Sequence, residues 1–156
     1  MNGKLVHDES GASTELGYIF TFLLGVIFLS MFSVWAFGIE TATRENWNNT
    51  AVDVNMADLA SAVERADLAS RGDSSVSYAE VVHWRQTEAD ESLFVLTLDD
   101  QGLHLDHDEN ELDRDVSISA TSSGTYDGRI TLSGISDIWI VHDEGVTYLA
   151  NKRPDF

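Results

Sequence analysis

LGYIFTFLLGVIFLSMFSVWAFGI, running from Leu16 to Ile39, holds no charged residue, and its reading decides the fold. A helix needs roughly 20 apolar residues to cross about 30 Å of hydrocarbon, and this stretch is long enough. A secretory signal would have a shorter apolar region and a small-residue cleavage site after it. Here Trp35, Ala36, Phe37 and Gly38 lead into Ile39 and Glu40 instead, so the segment reads as a retained transmembrane helix. Residues 1–15 form a polar head before it, and everything after it is polar and acidic.

The next segment, residues 40–72, reads as a helical stem. No Gly or Pro interrupts residues 39–71. Val52, Met56, Leu59, Val63 and Ala66 recur at spacings of four and three, a narrow apolar seam of helical period. Asp53, Asp58, Ser61, Glu64, Arg65 and Asp67 fall on the opposite, solvent side. Arg71-Gly72 supplies a helix stop. Asn46, Asn48, Asn49 and Thr50 are weak helix formers; one long helix is expected, with an interruption near residues 48–50 as the alternative. The seam is expected to pack on the sheet of its own domain, with coiled-coil pairing between subunits as the alternative.

From residue 73 the period shifts from 3.6 towards 2. Candidate strands are 76–85, 92–98, 103–106, 116–120, 129–132, 137–142 and 146–150. Asp99-Asp100-Gln101-Gly102, Ser122-Ser123-Gly124, Asp127-Gly128, Ser133-Gly134 and Asp143-Glu144-Gly145 are the turn signals between them. The last is the clearest hairpin. Ile138 and Ile140 alternate with Trp139 and Val141, so the penultimate strand is expected to be central and buried on both faces. Pro154, the one proline, lies in the tail, residues 153–156. The fold class is α+β: a long N-terminal membrane-spanning helix continues into an amphipathic helix, and about seven short strands follow as an antiparallel sheet or sandwich over residues 73–152.

The formal net charge is −18, from 27 acidic and 9 basic residues. That excess argues against nucleic acid and against anionic lipid headgroups as partners. Only Lys4 and Lys152 are lysines. An acid-rich, lysine-poor surface suits high salt, where the Debye length falls to about 3 Å at 1 M, and reads as haloarchaeal, with an ordinary acidic mesophilic protein as the alternative. The absence of cysteine removes disulfides and thiolate chemistry. The positive-inside rule weighs Lys4 against Arg44 and is nearly neutral, with the amino terminus tipping the head towards the cytoplasm. Asn48-Asn49-Thr50 is an N-glycosylation sequon; a glycan on Asn48 would place the C-terminal domain outside.

In the head, Gly11-Ala12-Ser13-Thr14-Glu15 precedes Leu16. A short polar leader, small residues and then an apolar helix is an order that resembles the class III signal peptides of archaeal type IV pilins and archaellins. The Ser-Thr-Glu-Leu-Gly-Tyr run also looks like the start of haloarchaeal pilin-like membrane proteins. The resemblance covers about residues 10–40. It implies leader processing among Ser10, Gly11 and Ala12: cleavage after Gly11 would put Glu15 at mature position four, and cleavage after Ser10 at five, where many pilins carry a Glu that pairs with a neighbouring subunit's amino terminus. Asp8 and Glu9 stand where such leaders usually carry a basic residue. Within the span Gly17, Thr21 and Gly25 recur every four residues, a small-residue stripe that lets helices approach closely; Gly and Ser are also simply common in membrane helices.

The densest set of ligand-type side chains is His104, Asp106, His107 and Asp108. In a strand His104 and Asp106 share a face, but the set leads into an acidic loop and lacks the spacing of an EF-hand loop. His83 and His142 read as ordinary strand residues. No nucleophile-elbow, phosphate-loop, dinucleotide or zinc-protease pattern occurs. The expectation is therefore a non-enzymatic, pilin-like surface or filament-associated subunit with no cofactor. Its expected partners are membrane lipid, further copies of itself, or other pilin-like or envelope proteins. The alternative is a membrane-anchored extracytoplasmic binding domain that does not polymerise.

Overall fold

The structure, a computed structural model, describes residues 9–72, 76–108, 111–119 and 125–156, with side chains from Glu15 onward. It is α+β: one long N-terminal apolar helix followed by a curled, mostly antiparallel sheet of seven strands. Two compact units divide at Thr43/Arg44.

Helix α1 runs Glu9–Ser70 without a break. The stretch around Asn48 stays helical because its polar side chains are occupied without disturbing the backbone ladder. Asn49 Nδ2 and the Thr50 hydroxyl each donate to the carbonyl four residues back, and Asn48 Oδ1 accepts the backbone N–H of Glu88 at 2.8 Å. In the first unit, the large apolar residues of Leu16–Ile39 are between 45% exposed at Val26 and 75% at Val34. No face of this segment is buried.

In the second unit the seam is the floor of the core. Val52, Leu59, Val63 and Ala66 are fully buried, and Met56 nearly so. They share one cluster with Val82, Trp84, Phe94, Leu96, Leu105 and Ile140 of the sheet, so the seam packs on its own domain. Each buried Val, Leu, Ile, Phe or Met side chain among them contributes about 1.5–3 kcal/mol through its removal from water. Asp67 departs from the expected solvent face and is 2% exposed.

The strands are β1 Tyr78–His83, β2 Phe94–Asp99, β3 Gly102–His107, β4 Arg114–Val116, β5 Thr125–Thr131, β6 Asp137–Asp143 and β7 Val146–Ala150. Their order is β1-β6-β7-β5-β2-β3-β4. β6 is thus interior but second from an edge, and Val141 and His142 show that both its faces are covered. Beyond shifts of one or two residues at strand ends, expected and observed strands differ in three places. The strand expected at 116–120 pairs over Arg114–Val116, since Val116 lies opposite Leu103 and β3 begins at Gly102. Val116 and Ile118 are half-buried against the core, so their alternation reported burial rather than pairing, and Ala120 lies outside the described residues. Asp127-Gly128, expected as a turn, lies inside β5. The glycine is needed there because a Cβ on Gly128 would come within 2.7 Å of the Leu149 nitrogen. β5 and β7 pair in parallel, because the chain leaves β5, forms β6 one strand further out and returns as β7 between them. The β6–β7 hairpin turns as expected, with positive φ at both Glu144 and Gly145.

The two sheet edges end on opposite flanks of the stem. On the β1 side, Arg65 bridges Glu80 through two hydrogen bonds of 2.9 and 2.6 Å. Asn55, 1% exposed, exchanges two 2.9 Å hydrogen bonds with the backbone of Arg85. On the β4 side, Arg114 holds Asp53 at 2.7 Å and also Asn49, and Glu64 accepts the Ser119 N–H. The helix therefore closes the gap between the edges. Leu59→Ala should lower the unfolding free energy of the second unit by about 2–5 kcal/mol, whereas Ser61→Ala, on the exposed face, should stay within about 0.5 kcal/mol. Urea unfolding of the full chain in micelles, followed by near-ultraviolet circular dichroism, measures both.

Candidate functional site

The residues singled out in the sequence do not converge on one centre. Ser10, Gly11 and Ala12 lie in the first turn of α1, and Glu15 is exposed. Gly17, Thr21 and Gly25 are solvent-facing: no heavy atom comes within 4 Å of a Cβ built on either glycine, and the Thr21 hydroxyl donates to the Gly17 carbonyl. Asn48 is half-buried and already serves as a clip between the stem and the segment that follows β1.

The His104–Asp108 cluster separates by strand alternation. His104 and Asp106 face outward from β3, as their spacing predicts, while His107 turns into the core, 5% exposed and 4.8 Å from the Phe94 ring centroid. No group of three or more His, Asp or Glu among the described residues is placed to hold a metal ion. His104 instead ties β3 to the strands on either side of it: its Nδ1 lies 2.6 Å from Asp115 of β4 and its Nε2 3.3 Å from Asp99 at the end of β2. The hydrogen bond to Asp115 holds the imidazole above its usual pKa, with the Asp99 charge adding to it against partial burial. His83 sits exposed beside Asp137 at 2.7 Å.

Sequence reasoning missed a buried polar row. Tyr126, Thr147, His142 and Tyr78 are lateral neighbours on β5, β7, β6 and β1. Tyr126, Thr147 and His142 are buried and Tyr78 is half-buried. His142 Nδ1 lies 2.8 Å from the Thr147 hydroxyl. The Tyr126 hydroxyl donates to Asp67 Oδ1 at 2.9 Å, and Arg71 donates to Asp67 Oδ2 at 2.7 Å. Tyr78 donates to Glu80, and the Arg65 hydrogen bonds hold the Glu80 carboxyl below its usual pKa. Burial, together with that hydrogen bond, pushes the Tyr78 hydroxyl up. The row latches the last turn of α1 onto the sheet at both ends, through Asp67 and through Arg65. The available signal was Asp67 itself, one position after the seam residue Ala66 and so at the margin of the apolar stripe.

Two grooves flank the stem on the β1 side. One, of about 440 Å³, runs between Asp58, Ser61 and Arg65 and the strand Glu80–His83. The other, of about 450 Å³, lies between Trp47, Asn48 and Val54 and the segment Arg85–Glu88 that follows β1. Comparison of the chain with protein-family models, with curated proteins and with solved structures finds no match in any of the three.

Asp67→Ala should cost about 2–3 kcal/mol and Tyr126→Phe about 1–2 kcal/mol, since a charged acceptor strengthens both bonds; unfolding midpoints in urea read the two values. The raised His104 pKa gives a pH signature. A group bound more tightly by its proton in the folded state stabilises fully below its unfolded value, near 6.5, and that contribution is lost as pH rises through the higher folded value. His104→Gln should therefore be less stable than the parent chain at about pH 5.5 and indistinguishable at about pH 8.5. Thermal melts across that range test the sign.

Proposed function

We propose that the chain is a non-enzymatic, pilin-like subunit, anchored by its N-terminal helix in a cell membrane and contributing to a surface or filament-associated assembly. The observation that carries this reading is the character of α1. Its early part is apolar on all sides and wholly exposed, with a window of mean hydropathy 2.2 of which none is buried, while its later part is buried along a single seam. A soluble core helix would bury the first part too. Lipid, or other helices of the same kind, is the partner such a surface fits.

The exposed Gly17–Thr21–Gly25 stripe supports close helix approach, and Glu15 at its head is the carboxylate that the resemblance to archaeal pilins pairs with a neighbour's amino terminus. In this reading the acidic β domain, residues 73–152, lies outside the cell, with lipid and further copies or envelope proteins as partners. The groove beside Trp47 favours a second reading, a membrane-anchored binding domain that does not polymerise.

Intact-mass measurement on protein purified from its native host tests the first reading. A mature chain starting at Gly11 or Ala12 is expected, and a full-length mature chain overturns it. Protease treatment of intact cells should remove the β domain; protection of that domain would reverse the orientation.

A further inference from the structure

Trp47 is 71% exposed and lies on α1 just before the half-buried Asn48 and the seam that begins at Val52. It forms one wall of the groove of about 450 Å³, a volume in the range of small-ligand sites. Around it stand side chains with hydrogen-bonding capacity to spare. Asn48 uses Oδ1 to hold the Glu88 N–H, which fixes its amide plane and leaves Nδ2 with two donor hydrogens. Gln86, on the opposite wall, makes no side-chain hydrogen bond among the described residues. Thr87 also lines the groove, and its hydroxyl is shut off from solvent with no partner.

The charges at the rim are matched locally: Arg44 lies 3.4 Å from Glu88, and Arg85 lies 3.7 Å from Asp58. Neither an anion nor a cation finds an unanswered charge there, and the net charge of −18 repels anionic ligands further. The fitting occupant is neutral, rich in hydroxyl groups, and apolar on one face. We infer that the groove between Trp47 and Arg85–Glu88 is a binding site for an oligosaccharide. The Trp47 indole is the stacking platform, and the Asn48 and Gln86 amides take paired sugar hydroxyls. Val54 and Ala51 add apolar lining. This goes beyond the anchoring role and is independent of whether the chain polymerises.

The test uses the full chain, isotopically labelled, in phosphocholine micelles, since a sugar-headed detergent would compete. Chitotriose, maltotriose and cellotriose are titrated separately into the millimolar range while amide and indole resonances are followed. Saturable shifts confined to residues 47–51 and 85–88, for at least one trisaccharide, are expected. Trp47→Ala should weaken that binding about tenfold with an unchanged thermal midpoint, and Gln86→Ala should weaken it severalfold. The inference is overturned if no trisaccharide gives saturable shifts there, if Trp47→Ala binds as well as the parent chain, or if only an apolar tripeptide run as a control perturbs the groove.

Discussion

Burial of the Val52–Met56–Leu59–Val63–Ala66 seam in the curl of the sheet is the constraint on which the second unit depends. A sheet has one inner face to cover, and here a single helix covers it. The seam residues lose essentially all contact with water, and Phe94, Leu96, Leu105 and Ile140 lose theirs against them. Without that helix neither the inner face nor the two edges would have a partner.

The edges explain the polar residues beside the seam. An open sheet edge presents unpaired backbone groups and invites pairing with other chains. β1 is held to one flank of the stem by Arg65–Glu80 and by Asn55 on the Arg85 backbone, and β4 is held to the other by Arg114–Asp53. Asp67 is buried for a related reason: it ends the seam against Tyr126 and Arg71 and so fastens the last turn. The same enclosure leaves a groove lined by Trp47 on the stem and by the segment after β1.

Much of this was legible in the chain. The apolar segment Leu16–Ile39 and the five seam positions declare themselves because helical burial follows a period that a single strand of sequence records. The Asp143–Gly145 hairpin declares itself because only certain residues tolerate positive φ. The strand expected at 116–120 was misplaced because alternation records burial, whereas pairing needs a neighbour that β3 no longer supplies. Gly128 looked like a turn because its purpose, making room for Leu149, involves a residue far along the chain. His104 and His107 look alike in sequence, yet strand alternation sends one to Asp99 and Asp115 and the other to Phe94.

The sequence by itself determined the elements: an uncharged helix long enough to cross a bilayer, an amphipathic stem and seven short strands. These follow from local composition and period, which act over a few residues. Only the tertiary structure decided the order of the strands, the parallel β5–β7 pair, the burial of Asp67 within the Tyr126–Thr147–His142–Tyr78 row, and the groove beside Trp47. Each depends on groups distant in sequence meeting at hydrogen-bond or van der Waals range, and no local pattern encodes which distant partner a side chain will meet.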